Sequence, residues 1–305
     1  MILAAAAGEG AVQDVFAQPA ASPVPDGAQV DKVAGGFQFT EGPYWDAASG
    51  TLLFSDIPAN TIYQWLPSAD STSVYRRPSG RSNGIVAGRE DGALLLAQHG
   101  RRRVSRVGPD GRETALATHY DGRRLNSPND VAVRSGGTVY FTDPPYGVEE
   151  SARELDVEGV YRLAPGAREN GGEPTLITDQ FERPNGIVLS PDEQHLYVND
   201  TRQQLIRAYD VASDGSVSGG EVFARLEDEG AEGGPDGMTV DQQGRVYSTG
   251  PGGLWIFAPG GERLDRIDVP AQSTNVTFGG AQNRTLFVTT PRAVYRVRVN
   301  ATGAR

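Results

Sequence analysis

Six short stretches decide how this chain folds: Glu41-Gly42-Pro43, Asn83-Gly84-Ile85, Asn129-Asp130-Val131, Asn185-Gly186-Ile187, Asp236-Gly237-Met238 and Asn275-Val276-Thr277. Each sets a carboxylate or carboxamide just ahead of a strand-like run. They recur about 47 residues apart on average, close to the period of a four-stranded propeller blade, with loop insertions accounting for the scatter. A second column follows the first: Leu52-Leu53-Phe54, Leu94-Leu95-Leu96, Val139-Tyr140-Phe141, Leu196-Tyr197-Val198, Val246-Tyr247 and Leu286-Phe287-Val288. Turn residues such as Asp91-Gly92, Ser135-Gly136-Gly137 and Gln243-Gly244 join the two columns, so the pairs read as hairpins.

A third strand recurs as Ile62 to Trp65, Val104 to Val107, Val160 to Leu163, Ile206 to Tyr209, Leu254 to Phe257 and Val294 to Val297, several with the alternation of a half-buried strand. A fourth fits Val74-Tyr75, Thr114 to Ala117, Thr175 to Ile177, Glu221 to Phe223 and Leu264 to Val269. The sixth repeat reaches Arg305 without a fourth strand, and Gln29 to Val33, ahead of the first repeat, can supply it. The expected fold is all-β: a six-bladed β-propeller of four-stranded blades whose N-terminal strand completes the last blade. Pairing the two chain ends in one blade closes the ring with backbone hydrogen bonds. A sandwich or β-helix would not need six equivalent polar residues, one at the start of each repeat.

Residues 28–305 thus read as one propeller domain. Residues 1–27, rich in Ala, Pro, Gln and Gly and lacking either period, read as a mobile leader. Met1 to Ala7 is apolar without a positive flank, as the remnant of a trimmed export signal would be. The expectation is a soluble protein, cytoplasmic, or periplasmic or secreted if the leader is such a signal.

Composition narrows the function. Thirty-nine acidic against 28 basic residues give a net charge of −11, which disfavours nucleic acid as a partner. The one basic cluster, Arg101-Arg102-Arg103, has no interleaved aromatics and reads as a solvated strand or turn. The absence of cysteine excludes thiol catalysis, disulfides and cysteine-bound metal. No apolar stretch approaches the roughly 20 residues that span a bilayer. Gly80-Arg81-Ser82-Asn83-Gly84 matches the G-x-S-x-G pattern of serine hydrolases, but Pro78 and Gly80 precede it and a short apolar run leads straight to a turn, not a helix. His119 and His195 read as surface-loop residues.

In a propeller the innermost strands crowd round one axis, so the polar column becomes a ring of Glu41, Asn83, Asn129, Asn185, Asp236 and Asn275. Two carboxylates brought together without compensation repel, and one is driven toward protonation. A divalent cation resolves the conflict, and oxygen-only ligation suits calcium, magnesium or manganese, with zinc tolerated. The competing reading makes each Asn-Gly or Asp-Gly a turn. Turn chemistry does not explain why the dipeptide returns at one place in each repeat, three times behind a proline, in Pro128-Asn129, Pro184-Asn185 and Pro235-Asp236.

At these residues the sequence resembles the senescence marker protein 30 / gluconolactonase / luciferin-regenerating enzyme family, its gluconolactonase branch above all. The stretches that carry the resemblance are Glu41 to Trp45, Arg81 to Gly84, Gln98-His99-Gly100, Asn126 to Asp130, Asp143 to Gly147, Arg183 to Gly186 and Gly234 to Gly237. The resemblance implies one divalent metal, calcium before zinc, manganese or magnesium, held by Glu41, Asn185 and Asp236. It also implies that Asn129 touches substrate or completes the metal shell, and that the reaction opens a sugar lactone to the aldonic acid. Where the senescence marker branch has an arginine that grips the sugar, this chain has Ser127.

The expected chemistry is metal-assisted hydrolysis, with Asp236 accepting a proton from the attacking water. Asn83, Asn129, His99 and Tyr146 are the expected contacts to sugar hydroxyls, although a histidine after a strand is as readily a hydrogen-bonded structural residue. Two rival readings stand beside this one. The same site could act on phosphotriesters or fluorophosphates, or the propeller could be a non-catalytic module that binds a protein or glycan.

Overall fold

The computed structural model describes residues 22–88, 92–166 and 172–304. Six antiparallel four-stranded sheets follow one another along the chain. Blade 1 is Thr40–Asp46, Thr51–Asp56, Thr61–Leu66 and Ser71–Arg76, and blade 2 is Ser82–Ala87, Leu94–Gln98, Arg103–Val107 and Glu113–Ala117. Blade 3 is Val131–Val133, Val139–Asp143, Gly159–Leu163 and Thr175–Thr178, and blade 4 is Pro184–Leu189, His195–Asp200, Leu205–Val211 and Val217–Arg225. Blade 5 is Met238–Val240, Val246–Gly250, Gly253–Phe257 and Arg263–Asp268, and blade 6 is Asn275–Gly279, Thr285–Thr290 and Ala293–Arg298, completed by Val30–Gly35. The first strand of each blade touches the first strands of the blades before and after it, and blade 6 touches blade 1, so the ring is closed.

The closure is the one expected: Val30 pairs with Val297 and Lys32 with Tyr295, giving the last blade its outer strand from the N-terminal end. The expected leader falls mostly on residues 1–21, outside the described residues. Its end, however, is held in place. Pro23 is buried and accepts a 2.7 Å bond from the Asn300 amide, and Val24 packs on the core between blades 5 and 6. Asp91 of the expected Asp91-Gly92 turn also lies outside the described residues.

Both faces of each blade are covered by a neighbour, which explains why the second strands read as continuous apolar runs. Leu52 and Phe54 pack toward blade 6 while Leu53, between them, packs toward blade 2. Likewise Val139 and Phe141 join the core shared with blade 2, and Tyr140 joins the core shared with blade 4. The side-chain period of two therefore divides each strand between two seams. The core of the described residues is a set of six inter-blade layers.

Near the axis a second circle joins the blades through hydrogen bonds. Ser55 Oγ of blade 1 donates to the Asn83 carbonyl at 2.9 Å, and the Gly84 amide of blade 2 donates to the Asn129 carbonyl at 2.8 Å. Thr142 Oγ1 reaches the Asn185 carbonyl at 2.7 Å, and Asn199 Nδ2 reaches the Asp236 carbonyl at 2.7 Å. The Gly237 amide donates to the Thr274 carbonyl, and Thr274 Oγ1 donates to the Thr40 carbonyl. Each blade thus fixes the backbone of the next at the height of the polar column.

Three expectations are corrected. The arginine cluster is a turn running into a strand, with Arg101 exposed as expected, but Arg102 is buried, donating to the carbonyls of Leu125, Asn126 and Ala152, and Arg101 and Arg103 both pair with Glu113, so the cluster is not solvated throughout. His119 lies in a two-residue strand paired with Arg123–Arg124, and His195 opens the second strand of blade 4, so neither is a loop residue.

Candidate functional site

The polar column converges as a ring, and the local backbone explains how. In blades 1, 2 and 4 the pairing of first and second strands slips between Glu41 and Tyr44, between Ser82 and Ile85, and between Pro184 and Ile187. Each slip is a bulge beside the polar residue, a device that re-aims a side chain. In blades 3 and 5 the polar residue precedes the strand, and in blade 6 Asn275 sits in regular pairing with Thr289.

The glycine that follows the polar residue is required by close approach. Gly84, Gly186 and Gly237 have negative φ, so they are not left-handed turn residues. A Cβ on Gly186 would sit 2.2 Å from the Asp236 carbonyl oxygen, and one on Gly237 would sit 1.9 Å from Asn275 Oδ1. The Asn-Gly and Asp-Gly dipeptides mark the places where neighbouring blades touch.

A cavity of about 370 Å³ opens above the ring, lined by Glu41, Asn83, His99, Asn129, Tyr146, Asn185 and Asp236 together with Phe39, Ile57, Pro58, Thr201 and Gln272. All seven residues expected from the sequence therefore meet in one cavity. Asn275 is absent from its lining. It donates through Nδ2 to Glu41 Oε2 at 2.9 Å and accepts the Val276 amide on Oδ1, so it orients the glutamate from below.

The electrostatics are dominated by buried carboxyls. Glu41 and Asp236 come within hydrogen-bonding reach of each other. Burial, with a smaller push from the Asp130 charge, raises the Glu41 carboxyl to about 7 against the hydrogen bonds of Asn275, Gly42 and Asp236. Asp236 is driven well above the usual carboxylate range by burial and by the charges of Glu41 and Asp130. Asp130 itself is raised to about 7 by burial; it lies one residue beyond Asn129 and lines the opposite mouth of the channel. Three carboxyls thus share the axis, and among the described residues no lysine or arginine lines the cavity.

The carboxamides are turned to suit. Asn185 Nδ2 is held by Thr201 Oγ1 at 3.0 Å, and Thr201 Oγ1 in turn donates to the Pro235 carbonyl at 2.7 Å and receives the Tyr146 hydroxyl at 3.2 Å. Asn83 Nδ2 lies 3.3 Å from His99 Nε2, and burial lowers His99 to about 4, which leaves the ring neutral and able to accept that bond. Asn83 Oδ1 is then a buried oxygen with no protein partner. Such an atom in a polar cavity calls for a ligand or water. No group of three or more His, Cys, Asp or Glu among the described residues is placed to hold a metal, so carboxamide oxygens must complete any cation's shell here. Oxygen donors of this kind, two of them anionic, fit a hard divalent ion.

Ser127 does not line the cavity. It is fully buried, donates to the Pro144 carbonyl at 2.6 Å and accepts the Gly147 amide at 2.8 Å, so it ties down the loop that carries Tyr146. Thr201, Asp130 and the apolar group of Phe39, Ile57 and Pro58 escaped the sequence reading. A signal existed for two of them: Ile57, His99 and Thr201 each directly follow the second strand of their blade, so that column points into the cavity too.

Comparison with known proteins matches residues 39–292 to the family described as SMP-30/Gluconolactonase/LRE-like region. A gluconolactonase of Zymomonas mobilis is 37% identical over 298 residues, covering 90% of this chain and 82% of its own length. A pentonolactonase of Haloferax volcanii is 31% identical over 264 residues, covering 82% of this chain and 80% of its own. Among solved structures, a gluconolactonase from Xanthomonas campestris superposes with a TM-score of 0.79 at 32% identity, covering 89% of this chain and 90% of its own.

Proposed function

The chain belongs to the SMP-30/gluconolactonase/LRE-like family, and from that premise we propose that it is a metal-dependent lactonase that opens sugar lactones to aldonic acids by hydrolysis. The observation that carries the metal dependence is the meeting of Glu41 and Asp236 at the cavity floor, both displaced upward and neither paired with a cation of the protein's own. Glu41, Asn185 and Asp236 would hold one divalent ion, calcium foremost, with Asn129 beside it to complete the shell or meet the substrate. When bound, that ion supplies Lewis-acid polarisation of the lactone carbonyl and charge opposite the developing oxyanion.

The remaining steps belong to the chain. Asp236, the ring carboxylate that keeps partial access to solvent, accepts a proton from the attacking water. The proton then passes to the ring oxygen, which leaves as the hydroxyl of the product. Asn83 Oδ1, buried and unpartnered, accepts a hydrogen bond from a sugar hydroxyl, with neutral His99 holding the amide in that orientation. Asn129 and the Tyr146 hydroxyl are further contacts on the neighbouring wall.

A pH-indicator screen of five- and six-membered aldonolactones tests the reading, run with chelator and then with calcium, manganese, magnesium or zinc restored. Turnover that stops with chelator and returns with one ion is expected. Phosphotriester turnover without lactone turnover would reassign the reaction, and full lactone turnover in chelator would remove the metal from it.

A further inference from the structure

The cavity above the ring has two unlike walls. On the side of blades 3 and 4, Tyr146 and Thr201 present hydroxyl groups beside Asn185. Blade 1 stands three blades from blade 4 and two from blade 3 in the six-membered ring, and on its side Phe39, Ile57 and Pro58 bring apolar side chains to the cavity.

That apolar wall is built firmly. Asp56, buried at the end of the second strand, accepts the amides of Gln38 and Phe39 at 3.0 and 3.2 Å and that of Ala59 at 3.4 Å. The Ile57 amide donates to the Phe39 carbonyl at 3.1 Å. One buried carboxylate thus locks the two loops that carry the wall, and pre-organised apolar surface of this kind binds carbon without paying to order it. A substrate hydroxylated on every carbon leaves such a wall unmatched, because a hydroxyl set against it loses its water and finds no partner.

The geometry points to a second substrate class for this cavity: six-membered lactones that carry an alkyl group beside the ring oxygen and few or no hydroxyls, opened by the same hydrolysis. The inference rests on the lactonase reading. The lactone carbonyl sits over the carboxylate ring as a sugar lactone's does, and the alkyl group lies against Phe39 and Ile57. Water oxygen bonds to the acyl carbon, the bond from acyl carbon to ring oxygen breaks, and the ring oxygen takes up a proton. One water is consumed, and the hydroxy acid gives its own proton to the buffer. A cavity of about 370 Å³ lies within the range of pockets for organic ligands, with room for a short chain.

The test uses the full chain with its activating cation and three substrates: glucono-δ-lactone and two hydroxyl-free δ-lactones bearing methyl or pentyl beside the ring oxygen. All three are expected to release acid, and kcat/KM is expected to rise about tenfold from methyl to pentyl, the scale of discrimination that apolar pockets deliver. Phe39→Ser and Ile57→Ser are each expected to lower the ratio of pentyl-lactone to gluconolactone kcat/KM about tenfold, with Phe39→Leu restoring most of it. Gluconolactone turnover with no alkyl-lactone turnover would overturn the inference, as would a ratio unmoved by both serine variants. Failure on all three lactones would overturn the lactonase reading itself.

Discussion

Glu113 and Glu41 are glutamates on adjacent blades, and their surroundings are opposite. Glu113, on the outer strand of blade 2, receives Arg76 and Arg101 on one oxygen and Arg103, Gln98 and Ser105 on the other, all within 3.0 Å. Burial pushes its carboxyl up, but the Ser105 hydroxyl and the Arg103 guanidinium outweigh that and hold it below the usual range. Glu41 receives only neutral amides, from Asn275 and Gly42, and faces a second carboxyl. A carboxylate that serves the fold brings its counter-charges with it. The axial pair has none, as the proposed cation site requires.

Cation affinity is the scale on which this contrast can be broken. The largest effect is expected from Asp236→Ala, which removes one of the two carboxylates at the cavity floor: calorimetric titration is expected to find no tight divalent site, and turnover is expected to fall about a thousandfold or more. A variant that binds and turns over normally would dissolve the contrast between the two glutamates.

Acid comes next. An ion must displace the protons that Glu41 holds below about 7 and that Asp236, also raised, shares with it, so apparent cation affinity is expected to fall by at least about tenfold per pH unit from 7 to 5. Stability has a matching sign. The folded pKa of Glu41 lies above its ordinary 4.5, so between about 4.5 and 7 the cation-free native state binds more protons than the unfolded chain. Its melting temperature in chelator is therefore expected to fall as pH rises through that window. The stabilisation gained on adding the ion is expected to grow over the same range. Calorimetric scans with and without chelator read both trends, and a melting temperature in chelator that rises with pH would contradict them.

Thr201→Val sharpens the comparison by leaving every axial charge in place. It removes the hydroxyl that holds the Asn185 amide, and loss of such a supporting contact is expected to weaken cation affinity about tenfold. Unchanged affinity would mean that packing alone sets the orientation of Asn185. The smallest effect on the ion is expected from Glu113→Gln. It leaves three guanidinium groups short of a counter-charge and is expected to cost about 1–3 kcal/mol of stability in denaturant unfolding, while cation affinity stays within about twofold. A large loss of affinity there would show that the outer clamp and the axial site are coupled.

Much of this was legible in the residues, and the failures are instructive. The register of the six polar positions and the hairpins behind them identified the blades, because blades are local and each strand pairs mainly with its neighbour in sequence. Even the non-local pairing of Val30–Gly35 could be anticipated, since the last repeat lacked a strand. Arg102 was misread because three adjacent arginines look the same whether water or backbone carbonyls receive them. Its acceptors, at Leu125, Asn126 and Ala152, belong to loops far along the chain. Asp130 was passed over because its neighbour Asn129 filled the column. Its charge matters only once Glu41 and Asp236 have been brought to the same axis.

The six polar residues ahead of six strands, read alone, determined a closed ring of sheets with two acids on its axis, because periodic local structure is written in periodic local sequence. Tertiary structure decided the rest. It alone set which carboxamide oxygens are left bare, as at Asn83, and which amides are held, as at Asn185. It also brought apolar side chains from blade 1 into one cavity with the hydroxyls of Tyr146 and Thr201. Those outcomes depend on contacts between residues remote in the chain, where orientation and burial, not residue type, determine the chemistry.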